Sequence, residues 1–235
     1  HSWRGWIAAP GDAERHVSQA PEGLMGIIKL SVEVTRRQQL RGLGYPRGKE
    51  PAPRVQERLE ALEDVCREPV KARGVVRLLD AADAGELGVS LNEAPMLGLG
   101  VCTVGPGLEV ESARRAEDDQ PLDALILDAY GSAAAEAAAD ALNFKLCAQA
   151  RAAGVHPGAR FSPGYPGWDI TAQPALLALL GADALGISLT ESLMMLPRKS
   201  VSFATRLRPG APTRRDDSAR RCARCGMTNC AYKEE

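Results

Sequence analysis

The sequence predicts a mixed α and β domain followed by a separate Cys-rich segment, on three observations. Residues 121–153 hold one long stretch of helical periodicity, short apolar β-rich runs recur before and after it, and the composition changes abruptly after Arg206. The chain has 235 residues, 45% of them hydrophobic and 4% aromatic. That is long enough for one domain with an appendage or for two small domains. With 29 Lys and Arg against 30 Asp and Glu, the net charge of -1 gives no global drive towards nucleic acid or an anionic membrane. The longest apolar runs are too short, or too Ala-rich, to span a bilayer.

Taken in order, residues 1–29 form an N-terminal extension lacking the charged, apolar and small-residue order of a secretory signal. Residues 34–53 predict a short helix running into a Gly/Pro loop, and residues 55–70 a helix with Val55, Leu59, Leu62, Val65 and Cys66 on one face. VVRLL and LGVSL, within residues 74–91, are expected to form a strand pair around DAADAGE. MLGLGVCTV at 96–104 reads as a buried strand, ending in the Gly105-Pro106-Gly107 turn and a helix start. The main helix at 121–153 is expected to bury Leu122, Leu125, Ile126, Ala129, Ala133, Ala137 and Ala141, a mostly Ala face that lets a neighbour approach closely. A further helix at 173–180 and strands at 185–190 and 200–204 follow.

Two polar constellations sit in the second half. Arg160 precedes Phe161-Ser162-Pro163-Gly164-Tyr165-Pro166, a set suited to an amino-acid-bearing ligand: a guanidinium for a carboxylate, a fixed turn with free backbone groups, and an aromatic face. An ordinary loop with a surface-paired Arg fits the same residues. Thr190-Glu191-Ser192, returned by Pro197 and Ser200-Val201-Ser202, would line one edge of a cleft or simply cap a hairpin.

In that order and at those separations, R-x-x-P-G-Y-P, LTES and SVS resemble the activation (reactivation) domain of cobalamin-dependent methionine synthase, and TVGPGL and LILDAYGS resemble a free-standing branch of that family. The resemblance covers residues 30–205. It implies an α+β fold with a bent antiparallel sheet and packed helices, and a protein that binds S-adenosylmethionine while cob(II)alamin on a partner is reductively methylated. The partner would be a corrinoid-bearing protein such as a methionine synthase core, and the chain an accessory to methyl transfer in methionine biosynthesis. Carried over, Arg160 would hold the methionyl carboxylate, Ser162 and Gly164 would contact the ligand through backbone, Tyr165 would lie on it, and Glu191 would face its sulfonium or ammonium.

Residues 206–235 read as an Arg-rich linker ending in Cys222, Cys225 and Cys230, a C-x2-C-x4-C spacing. Three thiolates this close suit zinc or an iron–sulfur cluster, with a fourth ligand from Cys66, Cys102, Cys147 or outside the chain. The reductive role implied by the resemblance tilts the expectation to a cluster serving as an electron relay. The rival function is a non-catalytic adapter with a structural zinc knuckle and a basic tail for protein or RNA contact. Six Cys in a chain too long to need disulfide staples, three of them together near the C-terminus, point to a reducing cytoplasm.

Overall fold

The computed structural model describes residues 26–90 and 94–209. A five-stranded antiparallel sheet organises them, in the spatial order β1 (Ile28–Lys29), β2 (Arg73–Asp80), β3 (Met96–Thr103), β7 (Ser200–Pro209), β4 (Val155–Phe161). Helices cover both faces. On one face lies α5 (Pro121–Ala152), flanked by α1 (Arg36–Gly42), α2 (Pro53–Ala61), α3 (Glu63–Arg67) and α4 (Gly107–Glu117). On the other lie α6 (Gln173–Leu180) and the 3-10 turns Ala81–Leu87 and Ala182–Leu185. A two-stranded hairpin, β5 (Ser188–Leu189) with β6 (Met195–Leu196), completes the fold. No described helix is long and apolar enough to cross a membrane.

Strand alternation divides the core. Gly98, Gly100 and Cys102 of β3 align with Thr205, Phe203 and Val201 of β7 on the α5 face, whereas Leu97, Leu99 and Val101 point to the α6 face. Glycine is required on the α5 side because the helix comes so near. A Cβ at Gly98 would lie 2.6 Å from Leu146 Cδ2, one at Gly74 2.8 Å from Leu142 Cδ2, and one at Gly100 2.5 Å from Phe203 Cζ. The helix answers with small residues: Ala134, Ala138 and Ala139 are fully buried beside Leu142 and Leu146. From the opposite face Arg73 and Arg77 of β2 donate to the carbonyls of Leu185 and Leu179, and so bond the ends of the short helical elements there.

Several expectations need correction. The 55–70 helix is two helices that break at Leu62. VVRLL is a strand, but LGVS is not. The residues between them form a 3-10 turn ending at Gly88 in the left-handed region, and β2 pairs with β3 instead. The strand expected at 185–190 is reduced to Ser188–Leu189. β4, which begins directly after Gly154, was not expected, and β7 runs on to Pro209, so Arg206 and Arg208 belong to the sheet and not to a linker. The buried face of α5 is also rotated by about a residue: Leu125 is 53% exposed and Ala137 and Ala141 are half-buried, while Ala134 and Ala138 are sealed.

One buried carboxylate joins the helices. Asp123, in the first turn of α5, accepts from Arg58 Nε at 2.9 Å and from Arg115 Nη1 at 3.2 Å, tying α2 and α4 to the main helix. The hydrogen bond from Arg58 holds the Asp123 carboxyl below the usual carboxylate range, against the opposing effect of burial.

Two outcomes are expected in thermal melts. Ala138→Leu should destabilise by about 1–3 kcal/mol through overpacking, whereas Ala137→Leu should cost under about 1 kcal/mol; equal effects would contradict the observed orientation of α5. Asp123→Asn should destabilise at neutral pH. Because the folded carboxyl is the stronger acid, its contribution is present above about pH 4 and is lost as pH falls below that. The gap between wild type and variant should therefore close on acidification, and a gap that is constant down to pH 2 would exclude the ion-pair account.

Candidate functional site

The edge strand β4 supplies the central cation. Its pairing with β7 shifts between Pro157 and Arg160, a bulge pinned by the Thr205 hydroxyl donating to Gly158 O at 2.7 Å. Beyond the bulge Arg160 stands opposite Thr205 and faces α5. Its Nη2 donates to Glu136 Oε2 at 2.9 Å and lies 3.4 Å from Asp140 Oδ1, and its guanidinium carbon sits 5.3 Å from the centre of the Phe203 ring. The Arg160 side chain is 7% exposed, while Glu136 and Asp140 are 47% and 64% exposed. Nη1 is buried and meets no hydrogen-bond partner. A cation is thus held under a rim of two solvent-facing carboxylates, with the two donors of Nη1 unspent.

The next residue turns the other way. Phe161 packs against Trp168, ring centres 5.2 Å apart, and the Arg206 guanidinium carbon lies over the Phe161 ring, 4.2 Å from its centre. Trp168 is anchored through its indole N–H to Leu87 O at 2.8 Å. This anchor closes the 162–168 loop: the Gly164 N–H donates to Trp168 O, the Trp168 N–H to Tyr165 O, and the Tyr165 N–H to Ser162 O. Gly164 adopts φ +85°, which a side chain would strain. Tyr165 is left 60% exposed at the tip. The Gly164 N–H is engaged within the loop, whereas the Ser162 carbonyl, which accepts from Tyr165, keeps a second lone pair.

Thr190, Glu191 and Ser192 form the turn of the β5–β6 hairpin. The Thr190 and Ser192 hydroxyls lie 3.0 Å apart, and the Met194 N–H donates to Thr190 Oγ1. Glu191 is exposed and makes no ion pair among the described residues. No hydrogen bond or ion pair among the described residues joins this turn to Arg160. A shallow groove lies elsewhere, beside the Gly105-Pro106-Gly107 turn, lined by Glu68, Lys71 and Arg73 with mixed charge.

The structure supplies a reason for LILDAYGS that its spacing had not revealed. Lys199, 9% exposed, lays its stem across Gly131 and donates from Nζ to Asp128 Oδ1 at 2.7 Å and Ser132 Oγ at 2.9 Å, while its backbone N–H donates to Glu109 Oε1 at 2.8 Å. Asp128, Gly131 and Ser132 stand at helical spacings of three and four, so one face of α5 receives one lysine. Glu136 and Asp140 continue the same helix for two further turns, towards Arg160. The D-x-x-G-S spacing and the acidic residues one and two turns beyond it were the available signals for the whole surface.

Cys222, Cys225 and Cys230 lie outside the described residues. Among the described residues no cluster of His, Cys, Asp or Glu is arranged to hold a metal. Of the candidates for a fourth ligand, Cys66 and Cys102 are fully buried, and burial pushes each thiol up to about 12. Cys147 is half-buried.

No curated protein matches this chain. Its fold is similar to that in the crystal structure of the MetH reactivation domain bound to AdoHcy, with a TM-score of 0.55 and 17% identity over 85% of this chain and 84% of that one. Residues 89–211 match the family model described as vitamin B12 dependent methionine synthase, activation domain. That match takes in β3, α4, α5, β4, the 162–168 loop, the hairpin and β7, every element that positions Arg160 and its neighbours. The chain belongs to the family of vitamin B12-dependent methionine synthase activation domains.

Proposed function

We propose that this chain binds S-adenosylmethionine against Arg160 and presents it for the reductive methylation of cob(II)alamin carried by a partner corrinoid protein. The observation that carries the reading is the Arg160 guanidinium, nine-tenths buried yet with Nη1 unspent, beneath half-exposed carboxylates. A methionyl carboxylate taking up the free donors leaves Glu136 to face the ligand's ammonium, a pairing of opposite charges on both sides of one α-carbon. Tyr165 offers an exposed ring to the remainder of the ligand, and Glu191 a second carboxylate from the hairpin. The similar MetH domain was crystallised with AdoHcy, the thioether product of such a reaction.

The chemistry asks little covalent work of this chain. One electron from a low-potential donor takes Co(II) to Co(I). The cobalt electron pair attacks the sulfonium methyl, the carbon–sulfur bond breaks as the cobalt–carbon bond forms, and S-adenosylhomocysteine leaves. The residues here bind and orient the methyl donor.

Cys222, Cys225 and Cys230 complete the proposal as ligands of an iron–sulfur cluster feeding that electron, with zinc as the alternative metal. With Cys66 and Cys102 sealed in the core, the fourth ligand comes from Cys147, a partner or solvent. Anaerobically purified full chain should be brown, with iron and sulfide that Cys225→Ser removes; zinc or no metal would refute the relay and leave the ligand site standing.

Calorimetric titration with S-adenosylmethionine should give measurable binding that Arg160→Ala weakens by about 1.5–3 kcal/mol, roughly tenfold or more. Equal affinities would remove Arg160 from the site.

A further inference from the structure

We infer that Asp140 sets the preference of this site for the sulfonium donor over its thioether product, an inference that rests on ligand binding at Arg160. Two carboxylates, Glu136 and Asp140, share one guanidinium, so the trio carries one negative charge more than it neutralises. A ligand carboxylate on Arg160 then releases both acidic groups. S-adenosylmethionine at neutral pH brings two cationic centres to meet them, its ammonium and its sulfonium. S-adenosylhomocysteine brings only the ammonium and leaves one carboxylate without a partner.

The spacing fits that division. Glu136 and Asp140 stand one helical turn apart on α5, about 6 Å along its axis, and the ammonium and sulfonium of the ligand are separated by three carbons. Glu136 makes the shorter contact with Arg160, at 2.9 Å, and is assigned to the ammonium beside the bound carboxylate. Asp140 touches Arg160 only at 3.4 Å and is the more exposed of the two, so it is the group free to meet the second cation. After methyl transfer that second cation is gone, and the unmatched Asp140 favours release of the product.

The test compares S-adenosylmethionine, S-adenosylhomocysteine and sinefungin, in which a carbon bearing an ammonium replaces the methyl-bearing sulfonium, by calorimetry on wild type, Asp140→Asn and Asp140→Glu. Wild type should bind both dicationic ligands more tightly than the thioether. Asp140→Asn should lower that preference about three- to tenfold, the range for one charge at partly exposed, salt-screened distance, through weaker binding of the dicationic ligands. Asp140→Glu should restore it. At 64% exposure Asp140 can change without disturbing the fold, and unchanged melting temperatures would verify this. A preference equal in wild type and Asp140→Asn would overturn the inference while leaving the binding site intact. Failure of wild type to bind any of the three would overturn the site itself, and the inference with it.

Discussion

The close approach of α5 to the glycine-bearing face of the sheet is the contact on which the rest of the domain depends. Gly74, Gly98 and Gly100 leave space that Leu142, Leu146 and Phe203 fill, and a single methyl at any of them would meet those side chains below 3 Å. The helix can settle there because its own contact residues are Ala. Small faces on both partners bring the axis near the strands, and the large side chains from either side then fill the gaps between them. About 48 Å of helix is held across the sheet in this way, from the Asp123 ion pairs to the turn that leads into β4.

Much follows from that placement. One face of α5 becomes a line of polar stations: Asp128 and Ser132 take Lys199 from the β6–β7 connection, and Glu136 and Asp140 take Arg160 from β4. The lysine station leaves no buried side-chain polar atom without a partner, and the lysine stem is packed on Gly131. The arginine station is not, because Nη1 lacks a partner and both carboxylates stand partly in solvent. A buried, incompletely satisfied cation beneath an open acidic rim is costly to keep unless something else completes it. The difference between two ion-pair sites on one helix separates the structural role of Lys199 from the binding role proposed for Arg160.

The long helices, the buried β3 strand, the Gly turn after it and the Arg-to-Tyr loop were legible because each carries a strong local signal: periodicity, a continuous apolar run, or Gly and Pro at fixed places. The orientation of α5 was not. In a run such as Ala133 to Ala135 and Ala137 to Ala139, every position is equally apolar, and only the glycines on a strand remote in sequence decide which Ala is sealed. β4 was missed because Pro157 and Gly158 break its pattern at the bulge, and the bulge is stabilised by Thr205, 47 residues further on. The second strand expected after VVRLL failed for the converse reason: LGVS has β character but β3 already occupies the edge it would need. Arg160 was singled out by its motif, yet its partners were not, since Glu136 and Asp140 read simply as the polar side of an Ala helix until the fold places them over the guanidinium.

In the proposed binding step, Arg160 exchanges its carboxylate partners for the carboxylate of the ligand. A crystal structure of the chain grown with S-adenosylmethionine tests this most directly. The methionyl carboxylate is expected within hydrogen-bond distance of the Arg160 guanidinium, with Glu136 turned to the ammonium. Ligand bound instead in the groove beside Gly105 and Gly107, with Arg160 still paired to Glu136 and Asp140, would contradict it.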